Sequence, residues 1–251
     1  MREVTRTLIE RREFKYLIPA PLVEPLRGAI RPYCRLDPFA ERIGRRRYLI
    51  ENLYFDTEDL SLYRSAVTGG GERLKLRVRG YPESSGGRVF LEVKRRINDV
   101  ILKRRGQVSS LRWTHLVADP EAPIPDEVVG EDRDAVEHFV TLARALRVRP
   151  STLVRYEREP YVSRKDEYVR VTFDSEIRAQ RVEDLSLEPC YQGWRRLDRS
   201  IVCELKFNRA MPPWLVDLVA RFGLQRRPYS KYRSSIRAFS ERPWVQDPDG
   251  P

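Results

Sequence analysis

Four cations occupy alternate positions in the segment Glu72-Arg73-Leu74-Lys75-Leu76-Arg77-Val78-Arg79. Successive side chains of an extended strand point to opposite faces, so Arg73, Lys75, Arg77 and Arg79 share one face and Leu74, Leu76 and Val78 the other. Like charges side by side repel unless an anion lies between them. The alternation recurs elsewhere. Glu92 and Lys94 oppose Leu91 and Val93, and Arg170, Thr172 and Asp174 oppose Val171 and Phe173. Glu204 and Lys206 oppose Cys203, Leu205 and Phe207, while Glu13 and Lys15 alternate with Phe14, Tyr16 and Ile18. Any one of these reads as an ordinary half-exposed strand. Together they concentrate Arg and Lys with single carboxylates between, where a solvent face would mix Thr, Ser, Glu, Lys and Gln. Such faces could bind phosphate oxygens and, through the carboxylates, a hard cation.

The elements that must position these residues follow from the same periodicity. Glu72–Arg79 and Val89–Lys94 flank the turn-rich Tyr81–Gly87 and read as a hairpin with a long loop. Tyr48–Phe55, Val100–Arg105 and Leu153–Glu157 are further strand candidates. Apolar residues at helical spacing predict helices over Pro21–Ile30, Asp132–Leu146, Pro212–Phe222 and Ser230–Phe239, the last with Ser230 as its N-cap. If the strands close into a barrel, their charged faces line the lumen and their apolar faces meet the helices outside. The Pro- and acid-rich stretch Asp119–Glu131 reads as a surface connection. One domain over residues 1–251 is the simpler expectation, with a core of about 12–239 and a frayed tail over 242–251.

The chain has 251 residues, enough to bury a substantial core, and 48 Lys+Arg against 37 Asp+Glu give a formal charge of +11. Its partners should therefore be anionic: nucleic acid, an anionic membrane surface or a small polyanion. The alternates of the basic residues are aliphatic, which argues against nucleic acid, whose bases stack on aromatics. No apolar run approaches the roughly 18 residues of a membrane span, although a membrane-bound partner protein stays open. Met1–Glu10 lacks the apolar stretch of a secretion signal, and Cys34, Cys190 and Cys203 are too scattered for a disulfide framework. A reducing, cytoplasmic location is the expectation.

Several chemistries lack their residues. Thr68-Gly69-Gly70-Gly71 is not followed by Lys-Ser or Lys-Thr, so it reads as a turn and not a nucleotide loop. His115 and His138 are the only histidines, which argues against a zinc site or a Ser-His-Asp triad. Any metal must be held by carboxylates and suit Mg²⁺ or Mn²⁺.

Taken in order, Glu13-Phe14-Lys15, Leu76-Arg77-Val78-Arg79, Leu91-Glu92-Val93-Lys94 and Cys203-Glu204-Leu205-Lys206 resemble the motifs of the triphosphate tunnel metalloenzymes, a CYTH-like superfamily. Asn52-Leu53-Tyr54-Phe55-Asp56-Thr57 and Tyr229-Ser230-Lys231-Tyr232 resemble the VTC branch, the polyphosphate polymerase domain of the vacuolar transporter chaperone complex. The resemblance runs from about Arg12 to Phe239. It implies an α+β fold, an antiparallel eight-stranded β-barrel with a charged lumen and helices packed outside. It implies phosphate binding by Lys15, Arg77, Arg79, Lys94, Lys103, Arg155, Arg170, Lys206, Ser230 and Lys231, to which the basic face adds Lys75. Arg77, Arg79, Lys94 and Lys206 would be the catalytic members, and Glu204, with Glu13, the metal ligands.

The implied reaction moves the terminal phosphate of ATP to a growing inorganic polyphosphate chain with Mn²⁺ or Mg²⁺. Positioning and charge stabilisation carry such a step without a side-chain nucleophile. Hydrolysis of tripolyphosphate or a nucleoside triphosphate in the same tunnel is the alternative, and a non-catalytic polyphosphate- or RNA-binding module is the third reading. Hydrolytic relatives often begin with two alternating glutamates. Here Arg11 stands two residues before Glu13, which favours polymerase over hydrolase.

Overall fold

The computed structural model describes residues 11–68, 71–84, 86–97, 100–119, 121–165, 168–188 and 192–240. Cys190, the glycines at 69 and 70, the first ten residues and the 242–251 tail lie outside the described residues. The chain divides into two compact units.

The first unit comprises residues up to Tyr48, Glu157–Ser175 and Arg199–Tyr229. Strand β1 (Arg11–Ile18) pairs antiparallel with β10 (Ile201–Asn208), and β10 with β8 (Arg170–Arg181). The short β2 (Cys34–Leu36) pairs with β7 (Arg149–Ser163). Tyr16, Ile18, Val171, Phe173, Cys203, Leu205 and Phe207 turn to one side of this sheet. There they pack with Val23, Leu26 and Ile30 of α1 (Val23–Ile30) and Leu215 and Leu218 of α6 (Pro213–Arg221). Each such fully buried aliphatic or aromatic side chain contributes roughly 1.5–3 kcal/mol. The other side keeps the charged alternates.

The second unit comprises Leu49–Tyr156, Glu176–Asp198 and the residues from Ser230. Its strands run in the order β7, β3 (Tyr48–Asp56), β4 (Glu72–Gly80), β5 (Arg88–Ile97) and β6 (Val100–Ser109), with β9 (Arg195–Arg196) on β8. Leu53, Phe55, Leu76, Val78, Leu91, Val93 and Leu153 form its apolar face. That face is covered by α4 (Trp113–Ala118) and α5 (Gly130–Ala145), through Trp113, Leu116, Val136, Phe139 and Val140. In both units the sheet is mostly antiparallel, one face apolar under helices and the other charged, as the alternation predicts.

Barrel closure is corrected. Among the described residues the strand path is open, ending at β1 and β6 with no ladder between them. Each end has its backbone groups engaged by something other than a strand. Arg227 N–H donates to the Lys15 carbonyl at 2.9 Å, and Tyr16 bridges Arg226. On β6, Gln107 N–H donates to Asp132 Oδ1 at 3.0 Å, where α5 crosses so closely that a Cβ on Gly106 would lie 2.5 Å from the Asp132 carbonyl oxygen. Edges covered this way need no closing strand.

Three short helices escaped the periodicity: α2 (Pro38–Arg42), α3 (Ser61–Val67) and α4. Asp37 caps α2, its Oδ1 accepting from Ala40 N–H at 2.9 Å. The start of α3 is held from β3, since Asp56 accepts from the N–H groups of Leu62 and Tyr63, each at 2.9 Å. Residues Lys231–Phe239 form α7 with Ser230 as N-cap, accepting from Arg233 N–H at 3.3 Å.

Candidate functional site

In the first unit, register assembles a patch of alternating sign. Glu13 of β1 stands opposite Lys206 of β10, and Lys15 opposite Glu204. Across the next ladder Glu204 faces Thr172 and Lys206 faces Arg170. Lys15 Nζ lies 3.0 Å from Glu13 and 3.6 Å from Glu204, and Lys206 Nζ lies 3.0 Å from Glu204 and 3.9 Å from Glu13. The Lys15 ammonium also donates to the Tyr229 carbonyl at 3.0 Å. Burial would raise the Glu204 carboxyl, but the charges of Lys206, Lys15 and Arg158 beside it hold it well below the usual carboxylate range.

Arg158 of β7 completes this patch. Its Nε and Nη2 donate to the two oxygens of buried Asp174 at 2.7 Å each, and Nη2 lies 3.6 Å from Glu204. Two parallel bonds of this kind fix the guanidinium plane as well as its charge.

The patch fits a divalent cation by its donor chemistry. Glu13 and Glu204 both lie within 4.0 Å of the Lys15 and Lys206 ammonium groups, which holds the two carboxylates side by side on one face. Mg²⁺ and Mn²⁺ take hard oxygen donors, and Mg²⁺ commonly uses one or two carboxylates with water and phosphate oxygens for the rest. Among the described residues no group of three or more His, Cys, Asp or Glu side chains could hold a metal.

The second unit carries a more strongly basic patch, ordered in rungs across its strands. Lys75, Lys94 and Lys103 stand side by side on β4, β5 and β6. The next rung is Tyr54, Arg77, Glu92 and Arg105, and the one after it Asn52, Arg79, Phe90 and Gln107. Glu92 is 1 % exposed and gathers the cations. Arg77 Nε donates to it at 2.7 Å and Lys103 Nζ at 2.9 Å, with Arg105 at 3.4 Å and Arg79 at 3.8 Å. Burial opposes its charge, yet Arg77, Arg79 and Lys103 keep the Glu92 carboxyl well below its ordinary range. Lys103 goes the other way: burial, with Arg77 and Arg79 beside it, outweighs Glu92 and lowers it to about 7.

The start of α7 adjoins this basic patch. Lys75 Nζ donates to Ser230 Oγ at 2.9 Å, and Lys231 Nζ sits 4.4 Å from the Tyr156 ring centroid. What holds α7 there is Tyr232, whose hydroxyl donates to Asp56 and whose ring stacks on Tyr54 at 5.0 Å. The Tyr54 hydroxyl accepts from Arg77 Nη1 at 3.1 Å.

One expectation is placed differently. Arg155 shares the face of Leu153, the helix-covered side, where Nε donates to Glu51 at 2.9 Å and the guanidinium lies 5.5 Å from the Trp194 ring. The cation that β7 brings to the charged side is Arg158. The segment Arg155-Tyr156-Glu157-Arg158-Glu159 carries charge on both faces, so its alternation has no readable phase. Arg105 was also missed; only its register with Glu92 reveals it. Of the other expected residues, Glu13, Lys15, Arg170, Glu204 and Lys206 fall together in the first unit, and Lys75, Arg77, Arg79, Lys94, Lys103, Ser230 and Lys231 in the second.

The VTC domain model matches residues 10–240 of the chain. No curated protein matches by sequence. Among solved structures, one from Bacillus halodurans, named a candidate adenylate cyclase, has a TM-score of 0.51 at 16% identity, covering 93% of this chain and 98% of that one. Another of the same name, from Vibrio parahaemolyticus, has a TM-score of 0.44 at 11% identity, covering 90% and 97%. At 16% identity the first of these is a likeness of fold.

Proposed function

This chain belongs to the VTC domain family, and on that premise we propose that it is a metal-dependent polyphosphate polymerase, moving the terminal phosphate of ATP to an inorganic polyphosphate chain. The observation that carries the reading is the lysine rung Lys75, Lys94 and Lys103 beside the arginine rung of Arg77 and Arg105, with Glu92 as the carboxylate between them. Neighbouring cross-strand cations are costly in a resting fold. A chain of phosphates repeats its charge at similar short spacing and would neutralise them in series.

The residues divide the work. Arg77, Arg79, Lys94, Lys103 and Arg105 bind and align phosphates, with Lys75, Ser230 and Lys231 at the helix start. In the first unit Lys15, Arg158, Arg170 and Lys206 do the same around the carboxylates. Glu13 and Glu204 would hold Mg²⁺ or Mn²⁺, which when bound supplies charge neutralisation at phosphate oxygens. Alignment and fixed positive charge are the main requirements of phosphoryl transfer, whose charge spreads over the equatorial oxygens. No side chain needs to form a covalent intermediate.

The test uses purified protein with ATP and Mn²⁺ or Mg²⁺, with and without a short polyphosphate primer. Products are resolved on a gel stained for polyphosphate, and ADP and free phosphate are quantified. Long chains with matching ADP, lost in Glu204→Ala and Arg77→Ala, are the expected result. Free phosphate without chains would make the protein a hydrolase; tight polyphosphate binding without turnover would make it a binding module.

A further inference from the structure

On the charged side of the first unit, Thr172 of β8 stands directly opposite Glu204 of β10, with Asp174 two residues on along the same face. Thr172 is 5% exposed, and its Oγ1 is shielded from solvent with no hydrogen-bond partner among the described residues. A buried hydroxyl left unpaired costs folding free energy that an isosteric valine would not. The neighbouring acids are engaged: Asp174 accepts from Nε and Nη2 of Arg158, and Glu204 is held by Lys206. The hydroxyl is therefore a buried donor and acceptor without a partner among the described residues, beside two acids that have theirs.

Carboxylates lie across the ladder (Glu204) and on one side along the strand (Asp174), with Arg170 on the other side. A phosphate oxygen placed between Glu204 and Asp174, away from Arg170, would meet like charge, whereas water would not. Mg²⁺-type ions held by one or two carboxylates keep several of their waters, and those waters need fixed acceptors around them to orient the ion. We propose that the Thr172 hydroxyl accepts a hydrogen bond from a water of the divalent cation held by Glu13 and Glu204, making it a positioning residue for the hydrated ion. The inference rests on the cation assignment of the preceding section and not on the identity of the reaction.

The full chain is compared with Thr172→Val and Thr172→Ser by three measurements: thermal midpoint without ligand, Mn²⁺ binding by calorimetry, and tripolyphosphate binding in chelator. Thr172→Val should raise the ligand-free midpoint by about 2–4 °C, since it removes an unpaired buried hydroxyl from a domain of this size. It should weaken Mn²⁺ binding about tenfold and leave metal-free tripolyphosphate binding unchanged. Thr172→Ser should restore the Mn²⁺ affinity. Wild-type Mn²⁺ affinity in Thr172→Val would overturn the proposal. So would a lowered ligand-free midpoint, which would mean the hydroxyl has a partner within the protein. Loss of tripolyphosphate binding with Mn²⁺ binding intact would assign the hydroxyl to phosphate instead, also overturning it. If the wild type binds Mn²⁺ but makes no polyphosphate, the polymerase reading fails alone; if it binds neither ligand, both fail.

Discussion

Arg77 and Glu92 face each other across β4 and β5, with the arginine Nε 2.7 Å from the carboxylate Oε2. The pair is the centre of the basic patch, because Lys103, Arg105 and Arg79 converge on the same buried carboxylate. In the ligand-free chain Glu92 is the counter-ion that lets these cations share a face.

Replacing Glu92 by glutamine should therefore destabilise the protein, by about 3–5 kcal/mol if the cations stay desolvated. Added tripolyphosphate should recover much of the loss, since it supplies the missing charge. Urea unfolding with and without tripolyphosphate measures both. An unchanged midpoint in the absence of ligand would mean that Glu92 does not organise the patch.

Arg158 and Arg155 give a contrast on one strand. Arg158→Ala should weaken tripolyphosphate binding at least tenfold, because its guanidinium lies on the charged side next to Glu204. Arg155→Ala should leave binding within twofold and lower stability by about 1–3 kcal/mol, since Glu51 is then buried without its partner. Calorimetry on both variants decides, and the reverse order of binding effects would show that the faces of β7 are misassigned.

Polyanion binding should weaken as pH rises. With Lys103 lowered to about 7, the ammonium is largely lost above that pH in the ligand-free chain, so binding an anion must take up a proton. Tripolyphosphate affinity should fall between pH 6 and pH 8.5, and Lys103→Arg should flatten that part of the profile. The stability sign is opposite. A lysine depressed in the fold binds fewer protons there than in the unfolded chain, so its contribution to stability rises with pH from about 7 to about 10.4. The Lys103 side chain is 42% exposed, so both effects should shrink in high salt. A pH profile identical in wild type and Lys103→Arg would refute the assignment.

Asp56 is a knot between β3, α3 and α7. It accepts from the N–H groups of Thr57, Leu62 and Tyr63 at 2.7–2.9 Å and from the Tyr232 hydroxyl. Burial, and then the Asp56 charge, push the Tyr232 hydroxyl far above its ordinary pKa, so it stays a donor. Tyr232→Phe should cost about 1–3 kcal/mol. It should also lower tripolyphosphate affinity several-fold, because Ser230 and Lys231 then lose their fixed position. Stability lost with affinity unchanged would confine Tyr232 to the fold.

What the sequence determined by itself was local: which face of a strand carries charge. Alternation is a property of consecutive residues, so spacing alone puts Arg77 with Arg79, and Glu204 with Lys206, on common faces. The amphipathic stripes of α5 and α6 were legible for the same reason, as was the Ser230 cap. Short helices such as α3 were not, because the groups that hold their starts, here Asp56, lie outside the helix.

Register was decided only by tertiary structure. Lys15 meets Glu204, and Lys75 meets Lys94 and Lys103, because backbone ladders and helix-covered apolar faces align distant or adjoining strands residue by residue. A one-residue shift would invert every face. On β7 both faces carry charge, so the choice of Arg158 over Arg155 came from packing of Leu153 into the apolar core. The open strand path came from edges covered at Lys15 and Gln107, and the unpaired Thr172 hydroxyl from the spacing of its neighbours. These depend on where chain segments far apart in sequence come to rest, which no local pattern records.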